Sequence, residues 1–386
     1  MARPIFREEH QTFRDSVRRF YAEHVTPHRD RFEEQGYVDR GVWRKAGELG
    51  FLCMAIPEAY GGAGADRLYP AVMLEEQGRA GDSGPGFWVH SDIAAPYILA
   101  YGTEAQKRQW LPRLASGEAI LGIAMSEPGA GSDLQAIRTT AVRDGGDFVI
   151  NGSKTFISNG WNADLIILVC KTAPAAGAKG ISLVLVETDR PGFRRGKLLK
   201  KLGLRAQDTA ELYFDDLRVP ADNLLGEEGK GFGYLMKELA WERMQMAILG
   251  LAVCEKAIDD AHAYATDRRV FGKAVADFQV TQFRLAELAT ETKVGRVFVD
   301  HCLALVTCDE LDPVTAAMAK YWCTDLQGRV VDGCLQLYGG YGFVWDTPIA
   351  RAYADARVQR IAGGTNEIMK QIVARALPDI IAKTRS

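Results

Sequence analysis

The chain is poor in the residues that build metal centres and disulfide scaffolds. Its 386 residues include six histidines and seven cysteines. The cysteines, at positions 53, 170, 254, 302, 308, 323 and 334, are scattered, odd in number and never spaced C-x-x-C. That pattern predicts free thiols in a reducing compartment, with no disulfide framework and no metal site. Neither sign of charge is in excess: the formal net charge of −3 gives no electrostatic reason to bind nucleic acid or an anionic membrane. No uninterrupted apolar run reaches membrane-spanning length. The opening MARPIFREEHQTF lacks the apolar core of a signal peptide and carries acidic residues, unlike a transit peptide. A cytoplasmic location is the resulting expectation.

What is present is an ordinary globular composition, long enough for two or three domains and a sizeable core. Residues 1–122 read as helices. Glu8–Val25 has Phe13, Val17, Phe20 and Tyr21 on one face and a closing Pro27; Gly41–Leu49, Leu68–Arg79, Ile93–Tyr101 and Glu104–Leu114 follow, with Gly102-Thr103 as stop and N-cap. This block is expected to be mostly packing scaffold. Residues 123–228 turn to strand-like runs. Asp147–Ile150 and Lys154–Ile157 flank Asn151-Gly152, the signal of a tight hairpin; Leu165–Cys170, Ile181–Glu187 and Thr209–Phe214 are further strands. Nothing recurs as strand–helix–strand, so an antiparallel sheet or barrel is expected rather than a nucleotide-binding parallel sheet. Residues 229–386 return to long helices at Phe232–Thr266, Asp277–Cys308, Pro313–Leu337 and Ile368–Ala376. The fold class is α+β: an N-terminal helical domain, a central antiparallel β-domain and a C-terminal helical bundle.

Within Leu239–Val253 the only charges are Glu242 and Arg243. Met246, Leu249 and Val253 follow Glu242 at helical spacing, so the carboxylate heads an apolar stripe. Its neighbours at three and four residues (Glu238, Leu239, Gln245, Met246) include no base, and adjacent Arg243 does not share its face. Such a carboxylate is costly unless something distant uses it. It is either a partly exposed residue at a domain seam, solvated or paired elsewhere, or a functional acid.

Three glycine-containing stretches have the same double reading. AMSEPGAGSDLQA (Ala124–Ala136) would let backbone N–H groups approach an anion, yet lacks the dinucleotide fingerprint and suits a structural turn equally. DRRVFGKAVADFQ (Asp267–Gln279) carries Arg268, Phe271 and Gln279 around a helix break, fit for phosphate and ring contacts or for a plain helix corner. QLYGGYGF (Gln336–Phe343) permits close approach by a ligand or a subunit, and GGTNEI (Gly363–Ile368) opens with a turn that punctuates the helices. Arg194, Arg195, Lys197, Lys200 and Lys201 read as a solvated face.

The order of these stretches, with LGLRAQDTAELYFDDLRVP between the first two, resembles the acyl-CoA dehydrogenase family over essentially the whole chain. MKELAWER and the C-terminal segments look most like its long-chain branch. The resemblance implies a homotetrameric, FAD-containing enzyme that oxidises an acyl-CoA thioester to the trans-2-enoyl-CoA and passes electrons to an electron-transfer flavoprotein. In that family a glutamate removes the α-proton while the β-hydrogen leaves as hydride to flavin N5. By its pattern Ile123, Met125, Ser126, Gly131 and Ser132 wrap the flavin, and Ser132 also touches the CoA portion. Phe156, Ile157 and Ser158 lie against the flavin ring, where Trp-Ile-Thr is common. Arg268, Phe271 and Gln279 reach the FAD of a neighbouring subunit, Gln336 and Gly340 contact the adenosine side, and Thr365 and Glu367 make C-terminal flavin contacts. Arg243 and Gly364 contact substrate.

One departure matters. Many members carry the catalytic glutamate two residues before this threonine, but here the position is Gly363. A smaller group, the long-chain and isovaleryl branches, carries it just before the substrate arginine, as Glu242-Arg243 does. The resemblance therefore assigns Glu242 as base and the Gly363 backbone N–H as donor to the thioester oxygen. It also predicts that moving the glutamate from 242 to 363 recovers part of the activity. The expected substrate is a medium- to long-chain acyl-CoA; a branched short-chain dehydrogenase, an acyl-CoA oxidase and a non-catalytic flavin-binding protein are the alternatives.

Overall fold

Helices, then strands, then helices follow one another along residues 3–384, the range described by the computed structural model. The expected first and last domains also include residues 1–2 and 385–386, which lie outside that range. The first block holds α1 (Glu8–Phe20), α2 (Arg29–Gln35), α3 (Arg40–Glu48), α4 (Leu68–Ala80), α5 (Ala95–Tyr101) and α6 (Glu104–Ala115). Thr103 caps α6 as its sequence predicts, exchanging hydrogen bonds with Gln106.

Two prolines change the pitch of a helix instead of ending it, at Pro27 against expectation. Pro27 does not close the first helix: the chain widens to a π-turn at Tyr21–Val25, tightens over Thr26–His28 and resumes as α2. The helix expected at Ile93 begins earlier, with a π-helical turn at Val89–Ala94 before α5. Pro96 has no N–H to donate backwards, and the freed Asp92 carbonyl instead accepts from Gln245 Nε2 at 3.2 Å. That bond ties the turn to the long helix described below.

The sheet comprises β1 (Leu121–Ala124), β2 (Thr140–Asp144), β3 (Asp147–Ser158), β4 (Leu165–Lys171), β5 (Ile181–Glu187), β6 (Phe193–Leu198), β7 (Thr209–Pro220) and β8 (Leu224–Leu225). Its order is β6-β7-β3-β2-β4-β5-β8, antiparallel except that β1 runs parallel to β4 and one parallel pairing joins β2 to β4. The hairpin expected at Asn151-Gly152 is absent. Residues 147–158 form one strand with a bulge there, because Asn151 pairs across to Asp216 on β7 in both directions (2.9 and 3.0 Å). The two-residue turn is instead Gly145-Gly146, with Gly145 at φ 63°. Strand β4 is buried on both faces: Leu165, Ile167 and Val169 pack toward the helices, whereas Ile166, Leu168 and Cys170 fill the core inside the sheet.

The last block contains α7 (Gly231–Asp267), a two-residue hairpin pair β9 (Arg269–Val270) and β10 (Lys273–Ala274), α8 (Gln279–Thr307), α9 (Pro313–Tyr338), α10 (Pro348–Gln359), α11 (Asn366–Arg375) and α12 (Leu377–Thr384). Its core joins α4 to α7, α8 and α9. At Gly78 the backbones of α4 and α7 approach so closely that a Cβ would lie 3.0 Å from Ala252 and 3.2 Å from the Leu249 carbonyl. Buried Glu75 locks the seam between first and last blocks by pairing with Arg3, Arg14 and Arg296, each within 2.9 Å. All seven cysteines are free, and among the described residues no helix is long and apolar enough to cross a membrane.

Candidate active site

Helix α7 carries Glu242 into a cleft of about 390 Å³ where the first helical block, the sheet and the C-terminal turn meet. The side chain is only 5% exposed, so the partly exposed, solvated alternative does not hold. Burial pushes its carboxyl up to about 7; the Tyr97 hydrogen bond opposes that shift, Glu238 one turn earlier adds to it, and Arg243 opposes it. Tyr97, itself buried, donates to Glu242 Oε1 at 3.0 Å, leaving the second oxygen without a hydrogen-bond partner among the described residues. Glu238 is held by Tyr101 at 2.8 Å, and Tyr101 stacks on Tyr234. Arg243 also lines the cleft; it is buried, and its Nε has no hydrogen-bond partner among the described residues. An orphaned guanidinium N–H beside a desolvated carboxylate is a place prepared for a polar ligand group.

A second wall is the Gly-rich segment after β1. Ile123, Met125, Ser126, Gly131 and Ser132 all line the cleft, and nothing lies within 4 Å of where a Gly131 Cβ would stand. The segment is fixed from below by a buried ion pair that sequence reading missed. Lys154 Nζ bonds Glu127 Oε1 (2.9 Å) and the Met125 carbonyl (2.8 Å), while Glu127 also accepts from the Arg138 and Thr139 N–H groups. Removing one partner of such a pair costs about 3–5 kcal/mol. The available signal was Lys154 itself, a charge at an inward position of a strand. Phe156, Ile157 and Ser158 continue the wall, with Phe156 at φ 60° and 69% exposed into open space.

The third wall is Ala362, Gly363 and Gly364. Ile361 and Ala362 donate back to the Val358 carbonyl, whereas the Gly363 and Gly364 N–H groups show no partner among the described residues. A Cβ on Gly363 would lie 2.7 Å from Met246 Cε, so this turn sits against α7 one helical turn beyond Glu242. Lys320 holds the turn: its buried ammonium donates to the Gly364 carbonyl (2.8 Å) and to Asn366 Oδ1 (2.9 Å), and desolvation lowers its pKa to about 8 against the pull of Asp325. Thr365 caps α11 through the Ile368 N–H (3.4 Å), and Glu367 lies in the first turn of that helix.

The remaining residues singled out by sequence stand elsewhere. Arg268 ends α7, about 39 Å from Glu242 along the helix axis. Together with Gly340 it lines a separate hollow of about 420 Å³. Phe271 is 96% exposed at φ 49°, Gln279 starts α8 and Gln336 lies in the last turn of α9. None of these five lines the Glu242 cleft.

The expectation that the first helical block is mostly scaffold needs correcting. Trp88, Val89 and Ile93 from the π-helical turn line the cleft, and Tyr97 holds the carboxylate. Buried His90 anchors that turn: the Leu121 N–H donates to Nδ1 (3.0 Å), which leaves the proton on Nε2 facing the Leu114 carbonyl (3.0 Å). Burial lowers its pKa to about 4. The cleft brings together a desolvated carboxyl, N–H groups without partners among the described residues and apolar side chains.

Three family models match the chain: acyl-CoA dehydrogenase N-terminal domain over residues 7–118, middle domain over 122–217 and C-terminal domain over 229–377. The mitochondrial long-chain specific acyl-CoA dehydrogenase of Rattus norvegicus is 52% identical over 377 residues, 97% of this chain and 88% of that protein. The crystal structure of acyl-CoA dehydrogenase from Geobacillus kaustophilus superposes with a TM-score of 0.95 at 49% identity, covering 96% of this chain and 98% of that one. An acyl-CoA dehydrogenase from Bacillus anthracis complexed with FAD superposes with a TM-score of 0.91 at 30% identity, covering 99% and 68%.

Proposed function

Because the chain belongs to the acyl-CoA dehydrogenase family, we propose that it is an FAD-dependent dehydrogenase of medium- to long-chain acyl-CoA in fatty-acid oxidation, with Glu242 as its general base. The observation that carries this reading is the desolvated Glu242 carboxyl, at about 7, in one cleft with the unpaired Arg243 Nε. The 52% identity to a long-chain specific relative supports the long-chain preference.

The α-hydrogen of a thioester is too weakly acidic for a solvated carboxylate. Burial makes Glu242 a stronger base, and its free oxygen takes the proton while Tyr97 holds the other. Negative charge then grows on the thioester oxygen, where the unpaired Gly363 N–H is the donor the backbone offers. Gly364 and Arg243 would orient the thioester and acyl portion, and Ser132 the CoA portion. The apolar side chains of Trp88, Val89, Ile93 and Met246 exclude water.

The residues fit FAD: the open face at Gly131, the outward Phe156 ring and Ile123, Met125, Ser126, Ser132, Ile157 and Ser158 would hold it, with Thr365 and Glu367 beside them. When bound, FAD supplies the hydride acceptor that no side chain provides. Arg268, Phe271, Gln279, Gln336 and Gly340 stand outside the Glu242 cleft and would serve the cofactor of a second copy. Exposed Phe271, Val280, Phe283, Val294 and Val297 support such an assembly, a homotetramer. Electron-transfer flavoprotein would be the electron acceptor, and the compartment cytoplasmic.

The test is a series of saturated acyl-CoAs of increasing length mixed anaerobically with the FAD-loaded protein while flavin absorbance is followed. Loss of the yellow band that is fastest with medium to long chains supports the reading. No reduction at any length would leave a binding protein only.

A further inference from the structure

Behind the active cleft lies a second cavity of about 160 Å³, between the end of α4, α7, α9 and α10. The two hollows share one side chain, Trp88. They also share one helix face. Of the apolar stripe on α7, Glu242 and Met246 line the front cleft, while Leu249 and Val253 line the rear cavity. A chain entering at Glu242 and following the stripe past Trp88 would reach the level of Gly250 after about 12 Å. With C–C bonds of about 1.5 Å in a zigzag, that is roughly ten carbons.

The rear cavity is not simply greasy. Leu249, Val253, Ile349 and Ala352 supply its apolar side, and seven charged residues and several amides supply the rest. Each charge already has a partner: Arg29 with Asp82, Arg79 with Glu255, Lys256 with Asp260, Arg351 with Asp30, and Asp355 with the Leu204 N–H. Gln77 is satisfied by the Asp82 and Pro85 carbonyls. Two amides are not. Gln207, 3% exposed, has an unpartnered Nε2, and Gln327, 2% exposed, has an unpartnered Oε1. Gln327 stands opposite Gly250, where a Cβ would lie 3.2 Å from its Oε1.

We infer that this cavity receives the far end of the acyl chain and selects chains whose end carries a neutral oxygen group, a hydroxyl or a ketone. The inference rests on the acyl-CoA reading above. A plain methyl end that fills the cavity would leave the Gln207 donor and the Gln327 acceptor without a partner, which is costly. A hydroxyl both accepts and donates, so it can pair with either amide, and a ketone can accept from Gln207. A carboxylate end finds no free cation there, since Arg29, Arg79, Lys256 and Arg351 are each committed to an acid.

The test is equilibrium binding of ω-hydroxydodecanoyl-CoA and dodecanoyl-CoA to the FAD-loaded Glu242→Gln protein, which holds substrate without turning it over. The hydroxylated ester is expected to bind about two- to tenfold more tightly. That ratio should fall to near one when Gln327→Leu is added, with Gln207→Leu as the second variant if the first does not fold. A ratio within one protein is insensitive to partial loss of folded material. Equal or weaker binding of the hydroxylated ester in the Glu242→Gln protein overturns the inference while leaving the acyl-CoA reading intact. Failure of both esters to bind overturns both.

Discussion

The Tyr97 hydroxyl donates a 3.0 Å hydrogen bond to Glu242 Oε1 across the seam between α5 and α7, with both groups buried. The bond stabilises the ionised carboxylate against a burial that favours the neutral form. A hydrogen bond to a charged group contributes about 1.5–3 kcal/mol. Tyr97→Phe is therefore expected to move the rise of kcat/KM with pH upward by about one unit or more and to slow turnover at neutral pH about tenfold. A full pH profile checks this. A loss of rate with no movement of the profile would mean that Tyr97 only fills space.

In the parent protein kcat/KM should rise with pH and reach half its plateau near pH 7, as Glu242 loses its proton. Stability should move the opposite way. The folded-state value lies above the ordinary 4.5, so the contribution of the protonated group is full below 4.5 and is lost as pH rises through about 7. Glu242→Gln, which cannot ionise, should thus melt higher than the parent at pH 8, by up to about 3 kcal/mol, and the gap should close near pH 5. Thermal unfolding at both pH values measures it.

Moving the glutamate to the position usual in the family meets two obstacles that the sequence did not reveal. Gly363 has φ 62°, where a side chain is strained, and its Cβ would lie 2.7 Å from Met246 Cε, so that flexible side chain must move aside. The double variant Glu242→Gly, Gly363→Glu is now expected to recover little activity. Adding Met246→Ala, which clears the space, should raise turnover of the double variant at least about tenfold, or about 1.4 kcal/mol of barrier. Steady-state rates of the two variants decide, and a triple variant no faster than the double contradicts the steric account.

The sequence made the layout legible because helical and strand periods change where the blocks change, and Glu242 stood out as a carboxylate heading an apolar stripe. It concealed what depends on contacts distant in sequence. Tyr97 lies 145 residues from its partner, and nothing local marks its hydroxyl. Lys154, Lys320 and His90 position the walls by reaching backbone carbonyls and amides on other elements. The Asn151-Gly152 pair misled because its turn preference was overridden by pairing with Asp216, while the true turn at Gly145-Gly146 lay five residues before Ile150. Prolines at 27 and 96 altered helix pitch rather than ending helices, and at Pro96 a distant element, Gln245 on α7, took up the freed Asp92 carbonyl.

The central claim is that Glu242 removes the substrate α-proton, and its most direct test is anaerobic mixing of FAD-loaded Glu242→Gln with a saturated long-chain acyl-CoA. Glutamine keeps the shape and can still accept from Tyr97, but it has no carboxylate to take the proton. The account predicts that substrate still binds while the flavin stays yellow, with its reduction slowed about 10²–10⁴-fold. Reduction within tenfold of the parent rate would contradict it.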